Sequence, residues 1–216
     1  MIFEIDPVPI RMVLFDFGNV IAHIDHRRFT RLLTNQNEQG IERITRRLFG
    51  PATPGELLET GHISQSTFRE DAMKIMGVHP SIDAFDTAFN GIIMSPIPEM
   101  LELIIDLSPH YRLGLLSNTS APHFEQVISR IPVFERFDQV SLSYEVGRMK
   151  PDEAIFMDAI GKHPGSPASI LYLDDIIQFV DAARGLGMQG LHVEEPIRAA
   201  SCVRHHLLPP EHPLEK

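Results

Sequence analysis

Residues 12–21 read Met12-Val13-Leu14-Phe15-Asp16-Phe17-Gly18-Asn19-Val20-Ile21, four apolar residues that end on an acid and a Gly-Asn turn. A short apolar run bounded by small and polar residues is the pattern of a strand buried on both faces of a parallel sheet. Four more segments repeat it, at residues 113–116, 139–142, 170–173 and 190–193. Between the later four lie helical patterns at 121–131, 151–160 and 178–186. Strand and helix therefore alternate as right-handed βαβ crossovers require. The interval between the first two strands breaks that rhythm. Residues 22–95 carry helical periodicity at 27–33, 41–49, 66–76 and 82–92, far more chain than the roughly two to six residues of an ordinary βα loop. This is a helical insertion. Pro51, Pro54 and Gly55 break it internally, Pro96 and Pro98 mark its exit, and 99–107 is expected to form the helix that feeds the second strand.

The 216 residues, 43% hydrophobic and 22% charged, supply one sizeable core and a small second one, which excludes fibrous and disordered classes. Cys202 is the single cysteine, so no intramolecular disulfide forms and a reducing cytoplasm is the expected location. Nineteen Lys and Arg stand against 29 Asp and Glu, a formal charge of −10. That balance argues against nucleic acid, whose binding draws on clustered cations. The Arg43, Arg46, Arg47 group is helically spaced and reads as a solvated face. No stretch approaches the ~20 apolar residues of a membrane span. Residues 1–9 carry Glu4 and Asp6 in place of a basic leader and read as a lead-in to the first strand. The tail 207–216, with three prolines, is expected to be loosely held. Nothing in the composition sets an oligomeric state.

Ligands of open parallel sheets bind beyond the carboxyl ends of the strands. Here those ends supply Asp16-Phe17-Gly18-Asn19, Ser117-Asn118-Thr119, Lys150-Pro151 and Asp174-Asp175. Three carboxylates gathered on one rim repel unless a cation sits among them, and hard oxygen donors suit Mg²⁺. An Asp nucleophile, a divalent metal, a lysine and a hydroxyl are the parts of phosphoryl transfer through an aspartyl-phosphate. In that reading Asp16 attacks phosphorus while the metal, Lys150 and Ser117 hold the non-bridging oxygens. Each residue alone has a plainer role, since a strand-end Asp often caps a turn and Ser-Asn-Thr often caps a helix. Their joint occurrence in sheet order carries the inference. The cation also removes the objection that a chain of charge −10 should avoid a phosphate ester.

The order of these segments, 13–21, Leu115-Leu116-Ser117-Asn118-Thr119, Gly147-Arg148-Met149-Lys150-Pro151 and Leu171-Tyr172-Leu173-Asp174-Asp175, resembles the four motifs of the haloacid dehalogenase-like hydrolases. The Asp-Phe-Gly-Asn-Val-Ile and Gly-Arg-Met-Lys-Pro forms are similar to the bacterial branch that includes the α-D-glucose-1-phosphate phosphatases. Glu59-Thr60-Gly61-His62-Ile63-Ser64, followed by Phe68, is similar to the helical cap of that branch. The resemblance implies an α/β fold, a three-layer Rossmann-like core of parallel sheet from residues 1–21 and 96–216, with 22–95 as an inserted helical cap. It implies Asp16 as nucleophile, Ser117, Asn118 and Lys150 as phosphate binders, and Mg²⁺ held by Asp16, the Gly18 carbonyl and Asp175. Asp174 would be a second ligand or a group behind the ligands. The expected activity is a Mg²⁺-dependent phosphatase of a small phosphorylated metabolite, with a sugar phosphate as one candidate.

Two positions depart from the family pattern. Gly18 stands where most phosphatases of the superfamily carry a second Asp as general acid and base, a loss worth on the order of 10²- to 10⁴-fold in rate. Gly18 therefore points to a good leaving group or to a substitute acid; His23 is the nearby side chain able to exchange that proton, its plainer reading being a surface or hinge histidine, and Asp25 could orient it or bind a substrate hydroxyl. Ile176 and Phe179 stand where polar residues usually order the metal loop. Losing such support commonly costs about 10- to 100-fold in metal affinity or activity. These departures motivate an alternative, a degenerate member that binds a phosphorylated ligand or partner without turnover. A third reading, metal-free carbon–halogen hydrolysis by Asp16, fits poorly with the repulsive Asp174-Asp175 pair. His205-His206 reads as solvated, and Gly185-Leu186-Gly187 as a helix terminus.

Overall fold

The computed structural model describes residues 8–208. Seven strands and eleven helices alternate along it. Strand β1 (Met12–Phe15) is followed by β2 (Ala22–Ile24). Five helices come next, α1 (His26–Leu33), α2 (Glu38–Phe49), α3 (Pro54–Glu59), α4 (Gln65–Met76) and α5 (Ile82–Asn90). Strand β3 (Ile93–Pro96) and helix α6 (Pro98–Leu107) lead back to β4 (Arg112–Ser117). Helix α7 (Ala121–Gln126), β5 (Gln139–Leu142), the single turn α8 (Ser143–Val146), α9 (Glu153–Gly161), β6 (Ile170–Asp174), α10 (Ile177–Gly185), β7 (Gln189–His192) and α11 (Pro196–Leu207) complete it.

Five strands form one parallel sheet in the order β5-β4-β1-β6-β7. β1 lies at its centre, paired to β4 with Met12 opposite Arg112 and to β6 with Met12 opposite Ile170. The period-two alternation of strand side chains separates two cores. Val13, Phe15, Leu113, Leu115, Leu171 and Leu173 pack with α6 and α11 residues such as Leu103, Ile104 and Val203 on one face. Met12, Leu14, Leu116, Ile170 and Tyr172 pack with Ile155, Phe156 and Ala183 of α9 and α10 on the other. Two helical layers therefore cover the sheet, and the chain reverses direction beside β1, where such sheets bind ligands.

The insert has its own core, in which Phe29, Phe68, Phe85 and Phe89 meet at ring separations between 5.1 and 6.5 Å. It joins the sheet through an antiparallel ribbon of β2 and β3, with Ala22 opposite Pro96 and Ile24 opposite Ile93. The Ile97 amide donates to the Ile21 carbonyl at 2.8 Å, so the chain leaves and returns at adjacent points. Strands of three and four residues carry too little pattern to be read in advance, and the expected limits at 22 and 95 fall on this ribbon. Pro54 does not break the insert but starts α3, at a first-turn position where a missing amide costs nothing. The helix expected over 121–131 ends at Gln126, and a single 3₁₀ turn, Ile128–Arg130, follows. His205 and His206 lie in the last turn of α11, a helix the sequence reading did not place. Most of the expected loose tail falls outside the described residues. Among the described residues no helix is long and apolar enough to cross a membrane.

Candidate active site

Asp16 continues the line of β1, its amide donating to the Leu173 carbonyl at 2.9 Å. The turn beyond it is closed by its own backbone: the Phe17 carbonyl accepts from the amides of Ile21 and Ala22, and the Asn19 amide donates to the Ala22 carbonyl. Asn19 takes the left-handed conformation, φ 53°, which Asn enters more readily than most residues. Both ends of its side chain are used. Oδ1 accepts from the Ile24 amide at 3.2 Å, and Nδ2 donates to Asp175 Oδ2 at 3.1 Å. A turn residue after β1 thereby fixes a carboxylate at the end of β6.

Lys150 reaches back under this turn and is buried to its tip. Its ammonium donates to Asp16 Oδ1 at 2.6 Å, Asp174 Oδ2 at 2.7 Å, the Tyr172 hydroxyl at 3.0 Å and the Leu116 carbonyl at 3.3 Å. Burial alone would push the lysine down, but the two carboxylates outweigh it and the net direction is upward. Asp16 is raised to about 7, chiefly by burial, with Lys150 opposing and Asp174 and Asp175 adding. Tyr172, which reads in sequence as one more apolar strand residue, has its hydroxyl on Asp174 and beneath Lys150. Asn118 is spent on the lysine's backbone: Oδ1 accepts from the Lys150 amide at 2.8 Å and Nδ2 donates to the Lys150 carbonyl at 3.2 Å. The side chain is therefore engaged in positioning Lys150, while the residue still lines the cavity. The Ser117 hydroxyl is buried and makes only a 3.5 Å contact with the Asn118 carbonyl, at the outer limit of a hydrogen bond. It remains available to an incoming oxygen.

Ligand oxygens of Asp16, Asp174 and Asp175 lie within 4.8 Å of one another. Three acids against one ammonium leave the cluster two charges short of neutrality, which suits a divalent cation. Asp174 is already occupied, Oδ2 by Lys150 and Tyr172 and Oδ1 by the Ile176 amide at 2.8 Å. Asp16 and Asp175 each keep an oxygen free of these bonds, and the Gly18 carbonyl takes no part in the turn's hydrogen bonds. All are hard oxygen donors, so the residues present fit Mg²⁺. Asp175 is also raised, mainly by burial, with Asn19 opposing. A cavity of about 230 Å³ opens above Asp16, Ser117, Lys150 and Asp175, and its far wall comes from the insert.

A strand-end Asp beside a lysine, a free serine hydroxyl and an acid pair is a constellation with known relatives. The profile of the haloacid dehalogenase-like hydrolases matches residues 13–193. The chain belongs to this family. It is 26% identical over 195 residues to a D-ribitol-5-phosphate phosphatase of Bacteroides thetaiotaomicron, covering 86% of this chain and 92% of that protein. A crystal structure of a haloacid dehalogenase family enzyme from the same species, in complex with magnesium and inorganic phosphate, superposes with a TM-score of 0.74 at 26% identity, over 85% of this chain and 93% of the other. A hydrolase of the family from Porphyromonas gingivalis gives 0.76 at 27% identity, over 91% and 98%. These matches fix the family and not the glucose-1-phosphatase branch.

Set against the haloacid dehalogenase-like pattern, the departures acquire physical reasons. A Cβ on Gly18 would lie 3.3 Å from Ile24 Cγ1, so a longer side chain there fits only if Ile24 shifts. Phe179 places its ring centroid 5.1 Å from the Lys150 ammonium, a cation–π contact where the family shows a polar group. The loop after Asp174 is held by the Ile176 amide and by His192, whose Nε2 donates to the Asp175 carbonyl at 2.9 Å. His23 is corrected. Strand alternation buries Ala22 and turns His23 to solvent, outside the residues that line the cavity. Asp25 caps α1, accepting from the Arg27 amide at 3.0 Å, and pairs with Arg27 and Arg31. The insert presents His26 and Glu59 to the cavity in their place. Neither role was read from sequence, although one signal existed: Glu59 ends α3, where a carboxylate opposes the helix dipole.

Proposed function

We propose that this chain is a Mg²⁺-dependent phosphatase that hydrolyses a small phosphorylated metabolite through an aspartyl-phosphate on Asp16. The observation that carries the reading is the Lys150 ammonium, held at 2.6 and 2.7 Å between Asp16 and Asp174 on the floor of the cavity. The named activity of the Bacteroides relative and the magnesium and phosphate in a similar structure support it.

Asp16 attacks phosphorus from the floor. Ser117 and Lys150 bind the non-bridging oxygens, replacing lost hydration with fixed donors in a site that excludes water. Asp16, Asp175 and the Gly18 carbonyl would hold Mg²⁺, which supplies charge neutralisation to the phosphoryl group and keeps Asp16 ionised. Asp174 and Tyr172 fix the lysine, and Asn118 fixes its backbone. The insert covers the cavity and contacts the leaving group, so it sets which ester fits. The single cysteine and the acid balance support a reducing cytoplasm and a small-molecule partner. The non-catalytic alternative loses its motivation, because Ile176 and Phe179 make supporting contacts of their own.

The test is phosphate release from a panel of small phosphate esters with Mg²⁺ and with EDTA. Turnover should require the metal and vanish in Asp16→Asn. A parent that turns over no ester, or an Asp16→Asn variant that retains turnover, overturns the assignment.

A further inference from the structure

Nucleophilic attack on phosphorus is in line, so the leaving oxygen departs on the side opposite Asp16. In this cavity that side is the insert's wall, made by Ile24, His26, Glu59, Ile92 and Ile93. The leaving oxygen needs a proton there. Gly18 cannot give one, and His23 faces solvent. Ser117 and Lys150 belong to the phosphoryl oxygens. His123 also lines the cavity, but its Nε2 is bonded to the Phe89 carbonyl at 3.0 Å, which leaves the two titratable groups of the insert wall.

His26 is the weaker of them. Burial pushes it down, with Asp25 opposing, and its ring packs on Phe49 with centroids 4.7 Å apart, so it rests neutral against an apolar partner. Glu59 makes no side-chain hydrogen bond or ion pair among the described residues. It lines the 230 Å³ cavity and also a second groove of about 710 Å³, which it shares with Lys150 and Arg148. A carboxyl at the junction of the two cavities can meet both a leaving group and an incoming water. The turn that places it there requires Gly61, whose φ is +69° and whose Cα packs against the Tyr144 backbone of the sheet body.

We propose that Glu59, carried by the insert, is the general acid and base of this enzyme, in place of the carboxylate that Gly18 lacks. The inference rests on the phosphatase reading. In the first step the Asp16 carboxylate bonds to phosphorus, the bond from phosphorus to the leaving oxygen breaks, and that oxygen takes the Glu59 proton. In the second, water bonds to phosphorus and gives its proton to the Glu59 carboxylate, and the bond between Asp16 and phosphorus breaks. Burial, with the neighbouring Glu56 carboxylate adding, pushes Glu59 up to about 7. It therefore exists in both protonation states near neutrality, as such a role requires.

The experiment compares Glu59→Gln with the parent on two esters, the best alkyl phosphate found in the panel and p-nitrophenyl phosphate, whose leaving group departs unprotonated. The expected result is a fall in kcat/KM of on the order of 10²- to 10⁴-fold for the alkyl ester with little change for the aryl ester. The aryl ester should also give a burst of nitrophenolate equal to the enzyme concentration, because water attack on the phosphoenzyme has lost its base. Glu59→Asp should restore part of the alkyl activity, which shows that the Gln variant's defect is not misfolding. Equal losses on both esters, or no loss on either, overturn the assignment of Glu59. A parent inert towards both esters, or an active Asp16→Asn, overturns the phosphatase reading instead.

Discussion

The two sides of the cavity are built on opposite principles. On the floor the charged groups hold one another: Lys150 has four partners within 3.3 Å, and Asp174 accepts from the lysine, from Tyr172 and from a backbone amide. On the insert's side the lining is mostly isoleucine, and the one carboxyl there is unpaired. The difference teaches what each side recognises. A phosphoryl group is the same in every ester and rewards fixed, preorganised charge. The leaving group varies, and a wall of apolar side chains with one free acid can be altered without disturbing the floor.

The largest expected effect tests the floor. Lys150→Met removes the ammonium and leaves Asp16 and Asp174 buried side by side, which should cost about 3–5 kcal/mol of stability along with all turnover. Urea unfolding of the metal-free protein measures it, and an unchanged midpoint would show that the carboxylates do not need the lysine. A smaller effect tests the insert's side. Glu59 is raised in the folded state, so the folded protein holds its proton longer than the unfolded chain does. Its contribution is fully present below the unfolded value near 4.5 and is lost as pH rises through about 7. Above pH 7 the half-buried carboxylate is a burden, and Glu59→Gln should be more stable than the parent there by about 1–3 kcal/mol. At pH 4 the two should converge. Parallel stability curves across this range would contradict the burial argument. The smallest effect marks the boundary between the two sides: His23→Ala should change stability by no more than about 0.5 kcal/mol and leave the rate of phosphate release alone, since His23 is exposed.

The same contrast explains what could be read in advance. Most of the floor was legible because Asp16, Ser117 and Asp174 each end an apolar run in strands that are otherwise hydrophobic, and parallel topology brings such ends together. Tyr172 was not legible, for it lies inside a buried strand where a phenol ring reads as core and only the position of Lys150 reveals the use of its hydroxyl. Asn118 looked like a ligand until its side chain proved to be hydrogen-bonded at both ends to one backbone. The insert's contribution was hidden for a different reason. Whether His23 or His26 faces the cavity depends on a three-residue strand that changes into a helix within the same stretch. Glu59 reaches the site only through the packing of α3, a helix started by a proline that sequence reading takes as a stop.

The bond between Ile97 and Ile21 bears on how the chain finds this fold. The central pairing of Met12 with Arg112 spans 100 residues of sequence. Once the ribbon of β2 and β3 has zipped, the whole insert is bypassed, and the loop that must close shrinks to about a quarter of that length. Two halvings of a loop relieve about 1.2 kcal/mol of closure entropy, at roughly 0.6 kcal/mol each. The long closure falls instead on the ribbon, where Ala22 meets Pro96 across 74 residues, so the insert's own packing is what draws β1 and β4 together.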